Sequence, residues 1–286
     1  MKNLFSLTTL NLIKTTCISM IKDYPMFCRL ELTSKCNFRC EFCHMHRKNN
    51  IKQDMTTEQI ITVIDALSNA GTSFLYITGG EPLIRQDIDV ILKHAKQKNM
   101  YVLLGTNGSL FKQKFNKIAK YIDAVHFSLQ SINNFESITS CKKEIFDDVI
   151  ESIKIAKKQN ILRQINVCID KNNIEEMFYI AEFINKNFNN VPILYLFMEL
   201  LSPNKQDNLD MKYLVPDLNV FNKNLLQIQS KYKNINVNDR KIGILKKQYA
   251  LKNREFCKAG NNMIVVNSQG QLEYPCEFMK LKIKNL

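Results

Sequence analysis

The 286-residue sequence predicts an α/β protein, a partial (β/α)6 TIM-like barrel with a small C-terminal hairpin module. Three observations predict it. Short apolar runs alternate with longer stretches of helical period, and six such pairs follow one another. Strands separated by helices cannot pair as hairpins, so the sheet is expected to be parallel with right-handed crossovers. Six units are too few to close an eightfold barrel, which leaves the sheet open on one side and puts the chemistry at the carboxyl ends of its strands.

The first strand is expected over 28–32, where Cys28, Leu30 and Leu32 alternate with Arg29 and Glu31. Thr56-Thr57-Glu58-Gln59 then offers a helix cap, and Ile60, Ile61, Val63, Ile64 and Leu67 mark an apolar face that ends at Gly71. The pattern continues as strand 74–78, helix 88–98, strand 101–105 and helix 111–121. Strand 124–129, helix 144–159, strand 164–169, helix 175–187 and strand 193–200 complete six units. Beyond Pro203 the chain is rich in Asn and Lys, with one amphipathic stretch (Leu218, Phe221, Leu225, Leu226, Ile228) expected to close or flank the barrel. Met263 to Val266, the Ser268-Gln269-Gly270 turn and Leu272 to Tyr274 read as a hairpin bounded by Cys257 and Cys276. The expected organisation is therefore an N-terminal amphipathic segment (1–25), a barrel core (26–202), a helical flank (203–255) and a small module (256–286).

A hydrophobic content of 45% with 23% charged residues is that of a folded globular chain and excludes disordered or fibrous classes. The apolar run over 10–21 is broken by Asn11, Lys14, Thr15, Thr16 and Ser19, so it falls short of the ~20 apolar residues of a spanning helix. No small-residue cleavage site closes it, and a cytoplasmic protein is expected. The formal charge of +13 invites an acidic partner such as RNA or an anionic membrane surface. Only seven of the forty cations are Arg, however, and the Lys are spread along the chain rather than massed in one stripe, so nucleic acid is not the expected partner.

Nine cysteines, an odd number without regular spacing, do not form a disulfide framework. Three of them cluster as Cys36-Asn-Phe-Arg-Cys40-Glu-Phe-Cys43 in the loop after strand one. Soft thiolates in such a loop select an iron–sulfur cluster, zinc or Cu(I). Three without a fourth nearby suit a cubane with one open iron; His44 and His46 are the residues that would complete a zinc site instead.

With this spacing, and with the aromatic Phe42 before the last cysteine, the sequence resembles the radical S-adenosylmethionine (SAM) enzymes. The resemblance implies a [4Fe–4S] cluster on Cys36, Cys40 and Cys43 whose open iron binds the amino and carboxylate groups of SAM. It also implies cleavage of SAM to methionine and a 5′-deoxyadenosyl radical, with a flavodoxin- or ferredoxin-like electron donor. Thr78-Gly79-Gly80-Glu81-Pro82, at the end of strand two, resembles the segment that contacts the methionine moiety. There the glycines would let backbone approach the ligand, and Glu81 would accept from its ammonium. Gly105-Thr106-Asn107-Gly108 resembles the third strand-end loop, which adds Thr106 and Asn107 to the expected SAM site.

On strand four, Phe127-Ser128-Leu129-Gln130-Ser131 resembles a segment that lines the ribose, with Gln130 in place of the usual acid, so Ser128 ranks above it. Asn166 ranks above Asn173 on strand five, His126 reads as a hydrogen-bonded core residue, and Glu199 sits near the end of strand six. Cys257-Lys-Ala-Gly260 and Tyr274-Pro275-Cys276 resemble the opening of a SPASM/twitch-type extension without its remaining cysteines. The resemblance implies an auxiliary cluster on Cys257 and Cys276, and three alternatives stand: a truncated extension, completion by distant ligands such as Cys141 or Cys168, or two buried cysteines that hold no metal. The substrate expected from the resemblance is a peptide or an intermediate of cofactor assembly. Adenosyl or methyl transfer to a lipid or RNA is the alternative within the class, and a zinc-binding interaction protein the alternative outside it.

Overall fold

The structure, a computed structural model, describes residues 25–43, 45, 53–197, 216–237, 263–274 and 281–282. Six parallel strands lie side by side in chain order: β1 (Phe27–Glu31), β2 (Phe74–Thr78), β3 (Tyr101–Thr106), β4 (Ala124–Ser128), β5 (Leu162–Ile169) and β6 (Ile193–Phe197). The connections carry α1 (Thr57–Asn69), α2 (Ile88–Gln97), α3 (Phe111–Ile118), the short α4 (Phe135–Thr139), α5 (Lys143–Lys158) and α6 (Met177–Phe188). The expected partial barrel is present, and the six expected strands fall within two residues of the observed ones wherever both ends are described.

Strand alternation divides the sheet into two faces. Cys28, Leu30, Leu75, Ile77, Leu104 and Phe127 are wholly buried on the face that meets the helices. Tyr195 on β6 shares that face, because its hydroxyl donates to the Met177 carbonyl at the start of α6. Alternate residues, among them Arg29, Tyr76, His126 and Asn166, occupy the concave face and are only partly buried. Their order across the sheet follows the register, in which Arg29 lies opposite Tyr76, Gly105 opposite His126 and Ser128 opposite Asn166.

Helix α1 begins at the expected capping box, in which the Gln59 amide donates to Thr56 Oγ1 and the Thr56 amide to Gln59 Oε1. Its buried stripe is Ile60, Ile64 and Leu67. Each such side chain contributes about 2 kcal/mol on burial, several times the propensity differences among its neighbours, so the stripe orients the helix.

Three features depart from the sequence reading. Helix α7 (Leu218–Lys231) buries Phe221, Leu225 and Ile228, while Leu226, expected on the same face, is 69% exposed one step round the helix. A three-residue strand, β7 (Ile235–Val237), follows it and lies parallel to β6. The hairpin of β8 (Met263–Val266) and β9 (Leu272–Tyr274) forms as expected, and β8 also runs parallel to β1, so the hairpin continues the barrel sheet; β10 (Leu281–Lys282) pairs antiparallel with β9. Among the described residues no helix is long and apolar enough to cross a membrane; the apolar run over 10–21 lies outside them.

The contrast on α7 is measurable. Ile228→Ala is expected to destabilise by about 2–5 kcal/mol, whereas Leu226→Ala should stay within about 0.5 kcal/mol, as read from urea denaturation midpoints.

Candidate active site

The carboxyl ends of β1, β2 and β3 are tied together by backbone before any side chain contributes. The Gly80 amide donates to the Thr33 carbonyl at 2.7 Å and the Glu81 amide to the Lys35 carbonyl at 2.9 Å. The approach is possible because neither glycine carries a Cβ: one added at Gly79, where φ is +133°, would meet the Thr33 oxygen at 2.4 Å, and one at Gly80 the Lys35 oxygen at 2.0 Å. The glycines were expected to admit a ligand. In the structure their close approach is to the segment that leads into Cys36.

Glu81 completes this junction. Its side chain is 0% exposed, and its carboxylate accepts from the Leu83 amide (3.0 Å), Thr106 Oγ1 (2.8 Å) and the Asn107 amide (2.7 Å). These partners lower its pKa, but burial outweighs them and raises it from 4.5 to about 7. The carboxylate expected to meet an ammonium is thus engaged by the protein itself. Asn107 extends the network: Nδ2 donates to Asn37 Oδ1 at 2.9 Å and lies 3.9 Å from Cys36 Sγ, while Oδ1 accepts from the Ser109 amide and hydroxyl. Asn37 Nδ2 donates in turn to Ser109 Oγ at 2.8 Å.

Cys36, Cys40 and Cys43 are partly buried in the loop these bonds hold. Burial pushes the Cys36 thiol up to about 11 and Cys40 higher still, and the neighbouring thiols add to both shifts. Charged thiolates this close in a poorly solvated loop repel one another, and a bound cationic centre offsets that repulsion. Among the described residues no three His, Cys, Asp or Glu side chains gather around one point as ligands of a single ion. A cubane asks for no such convergence, since each thiolate binds its own iron, and the soft donor set fits it. His44 and His46, the zinc-completing residues, lie outside the described residues.

The remaining expected residues separate into two groups. Ser128 and Asn166 face each other across β4 and β5 on the concave side, where Asn166 Oδ1 accepts from Gln164 Nε2 at 2.6 Å. Gln130 and Asn173 are held within the scaffold: Gln130 Oε1 accepts from the Cys168 amide, and Asn173 Nδ2 donates to the carbonyls of Gln130 and Cys168. His126, read as hydrogen-bonded, packs its ring edge-on to Tyr76 at 5.8 Å, and burial lowers its pKa to about 4, so it is neutral near pH 7.

Sequence reasoning missed two residues at this end of the barrel, Glu176 and Asp170, and named Cys141 only as a distant ligand of an auxiliary cluster. Glu176 accepts from Ser131, Ile132, Asn133 and Asn134 and fixes the loop after β4. Asp170, after β5, is 1% exposed, and its Oδ2 has no hydrogen-bond partner. Cys141 lies near Cys40, with its thiol directed to the Asn37 carbonyl at 3.8 Å. No local pattern marks Glu176, whose partners lie more than forty residues away, or Asp170, whose burial is set by the fold. Glu199, Cys257 and Cys276 lie outside the described residues.

The family model of the radical SAM superfamily matches residues 30–184, more than half of the chain. The chain belongs to the radical SAM superfamily. Membership implies a [4Fe–4S] cluster and SAM as cofactors and makes the chain an enzyme. Proteins described as "Probable GTP 3′,8-cyclase" are similar to it: that of Saccharolobus islandicus (strain M.14.25 / Kamchatka #1) is 34% identical over 159 residues, and that of Sulfolobus acidocaldarius 33% over 162. The matches cover 54% and 55% of this chain, and the chain spans about half the length of these curated relatives (51% and 50%). In fold the chain is similar to Streptococcus suis SuiB bound to the precursor peptide SuiA, with a TM-score of 0.69 at 16% identity, over 97% of this chain and 65% of that one. It is similar also to anSMEcpe with bound AdoMet and the Cp18Cys peptide, with a TM-score of 0.63 at 18% identity, over 90% and 75%.

Two outcomes test this radical SAM site. A raised folded-state pKa means that the buried carboxyl favours stability at low pH and that this contribution is lost as pH rises through 4.5 to 7. The stability of the wild type relative to Glu81→Gln, followed by urea denaturation against pH, should therefore fall by on the order of 3 kcal/mol across that window and level off above it. In the second, Gly80→Ala should loosen the Lys35 contact and speed alkylation of Cys36, measured by mass spectrometry of iodoacetamide-labelled peptides.

Proposed function

We propose that this chain cleaves SAM reductively at a [4Fe–4S] cluster held by Cys36, Cys40 and Cys43, and uses the resulting radical in peptide modification or cofactor biosynthesis. The observation that carries this reading is the single network, through Gly80, Glu81, Thr106, Asn107 and Asn37, that joins the cysteine loop to the ends of β2 and β3. The cluster, when bound, supplies an electron and an open iron position for SAM. The protein's own groups supply placement.

The Gly79-Gly80 backbone and the Thr106-Asn107 loop form the wall for the methionine end of SAM, and Ser128 and Asn166 offer polar contacts to its ribose and adenine. Glu81 acts here as a positioning residue, because it reaches the site through Thr106 and Asn107. A flavodoxin- or ferredoxin-like protein serves as electron donor in the cytoplasm. Cys257 and Cys276 hold an auxiliary cluster if the remaining ligands come from elsewhere in the chain or its continuation. The relatives named for GTP cyclisation support cofactor biosynthesis, and the peptide-bound structural neighbours support peptide modification.

Anaerobic reconstitution with iron and sulfide, followed by dithionite and SAM, is expected to give about four irons per chain and 5′-deoxyadenosine. The Cys36→Ala/Cys40→Ala/Cys43→Ala variant should give neither. Stoichiometric zinc without sulfide in the wild type would sink the proposal.

A further inference from the structure

The concave wall beneath the strand ends is graded along the barrel axis. At the amino ends of β1, β2 and β3, Phe27, Phe74 and Tyr101 stack with ring centroids 4.9 Å apart in each successive pair. Two residues further along β2 and β4, Tyr76 and His126 meet edge to face at 5.8 Å. Gly105 makes room for that layer, since a Cβ there would lie 2.7 Å from the Tyr76 hydroxyl. The layer sits about 7 Å below the strand ends, from the rise of two residues.

Charge on this wall is balanced. Of the side chains that β1 to β6 turn to the concave face, only Arg29 and Glu31 carry formal charge, and they pair at 3.0 Å. A polyphosphate placed here would surrender its hydration without an uncommitted cation on these strands to replace it. A neutral ring would lose little and would gain stacked and edge-on partners.

We propose that this wall is the substrate site and takes a neutral aromatic group, packed against Tyr76 and His126 above the Phe27–Phe74–Tyr101 floor, to the exclusion of nucleoside triphosphates. The inference deepens the radical SAM reading and rests on it for the location of the reacting atoms. It selects among substrates by wall chemistry, so a ring carried on a peptide and a free aromatic molecule share the same recognition.

The test uses the anaerobically reconstituted full chain with SAM present. Saturation-transfer NMR is recorded with N-acetyl-tyrosinamide, p-cresol and GTP–Mg2+, with SAM affinity measured on the same sample. Ring protons of N-acetyl-tyrosinamide are expected to receive saturation and those of GTP not; p-cresol binding as well points to a free aromatic molecule, and its failure to bind points to a peptide. Tyr76→Ala should weaken aromatic binding about fivefold while Tyr76→Phe retains it. His126→Ala provides a second variant, expected to act in the same direction, should Tyr76→Ala fail to fold. GTP binding with aromatic binding absent, or aromatic binding indifferent to both alanine variants, would overturn the inference. Failure of SAM to bind would count instead against the proposed reaction, because the order of aromatic probe and GTP is read independently in that sample.

Discussion

One carboxylate, removed entirely from water, joins three loops of this barrel. Glu81 leaves the end of β2, caps the turn at Leu83, and receives a hydroxyl and an amide from the end of β3. Its own amide is held by Lys35. A buried carboxyl is expensive unless hydrogen bonds replace its hydration, and here three donors do so. Removing any one strands the others in the same enclosed space, so the ends of β1, β2 and β3 behave as a unit. The two glycines before it belong to the same constraint, because only bare backbone fits against Thr33 and Lys35.

The parallel sheet converts this local junction into a site. With strands in register and chain order, every strand end faces the same way, so loops distant in sequence become neighbours. The helices claim one face of the sheet for the core. The other is left to side chains that need not pack against helices, which is why partly buried aromatic and polar residues (Phe74, Tyr76, Thr78; His126, Ser128) alternate with wholly buried apolar ones along β2 and β4. The β8–β9 hairpin uses the same geometry, since its first strand continues the sheet beyond β1 and its turn accepts the Met55 amide at the Ser268 carbonyl.

The sequence made the six units legible because burial on one face imposes a strict alternation, and helix stripes impose another. Thr56 and Gln59 were readable for the same reason, as capping chemistry is local. β7 was not, since three residues carry too little pattern to stand apart from a loop, and Leu226 shows the limit of counting apolar residues without fixing the helix phase. At the site, residue types and spacing pointed to Cys36, Gly79, Gly80 and Glu81, but not to what they touch. That Glu81 would be consumed by Thr106 and Asn107, or that Gly80 would rest on Lys35, depends on contacts across 25 to 45 residues that no local pattern encodes. Glu176 is invisible for the same reason, as its partners are the amides and polar side chains of a loop about forty residues earlier.

The cysteine loop itself owes its course mainly to groups other than sulfur. Arg39 donates its amide to Thr139, Asn37 reaches Ser109 and Asn107, and Ser34 donates its amide to Asp54. Sulfur enters this scaffold chiefly as an acceptor, as where the Phe38 amide lies 3.3 Å from Cys36 Sγ. A small metal-folded domain works the other way, since its ligands organise the chain only when the ion binds. Here the ordering entropy of the loop is offset by amide and carboxylate contacts anchored in the barrel, and burial holds the Cys36 thiol protonated up to about pH 11. The barrel contacts therefore place the thiols without a bound ion, and a cationic centre held there would stabilise the thiolates and release their protons.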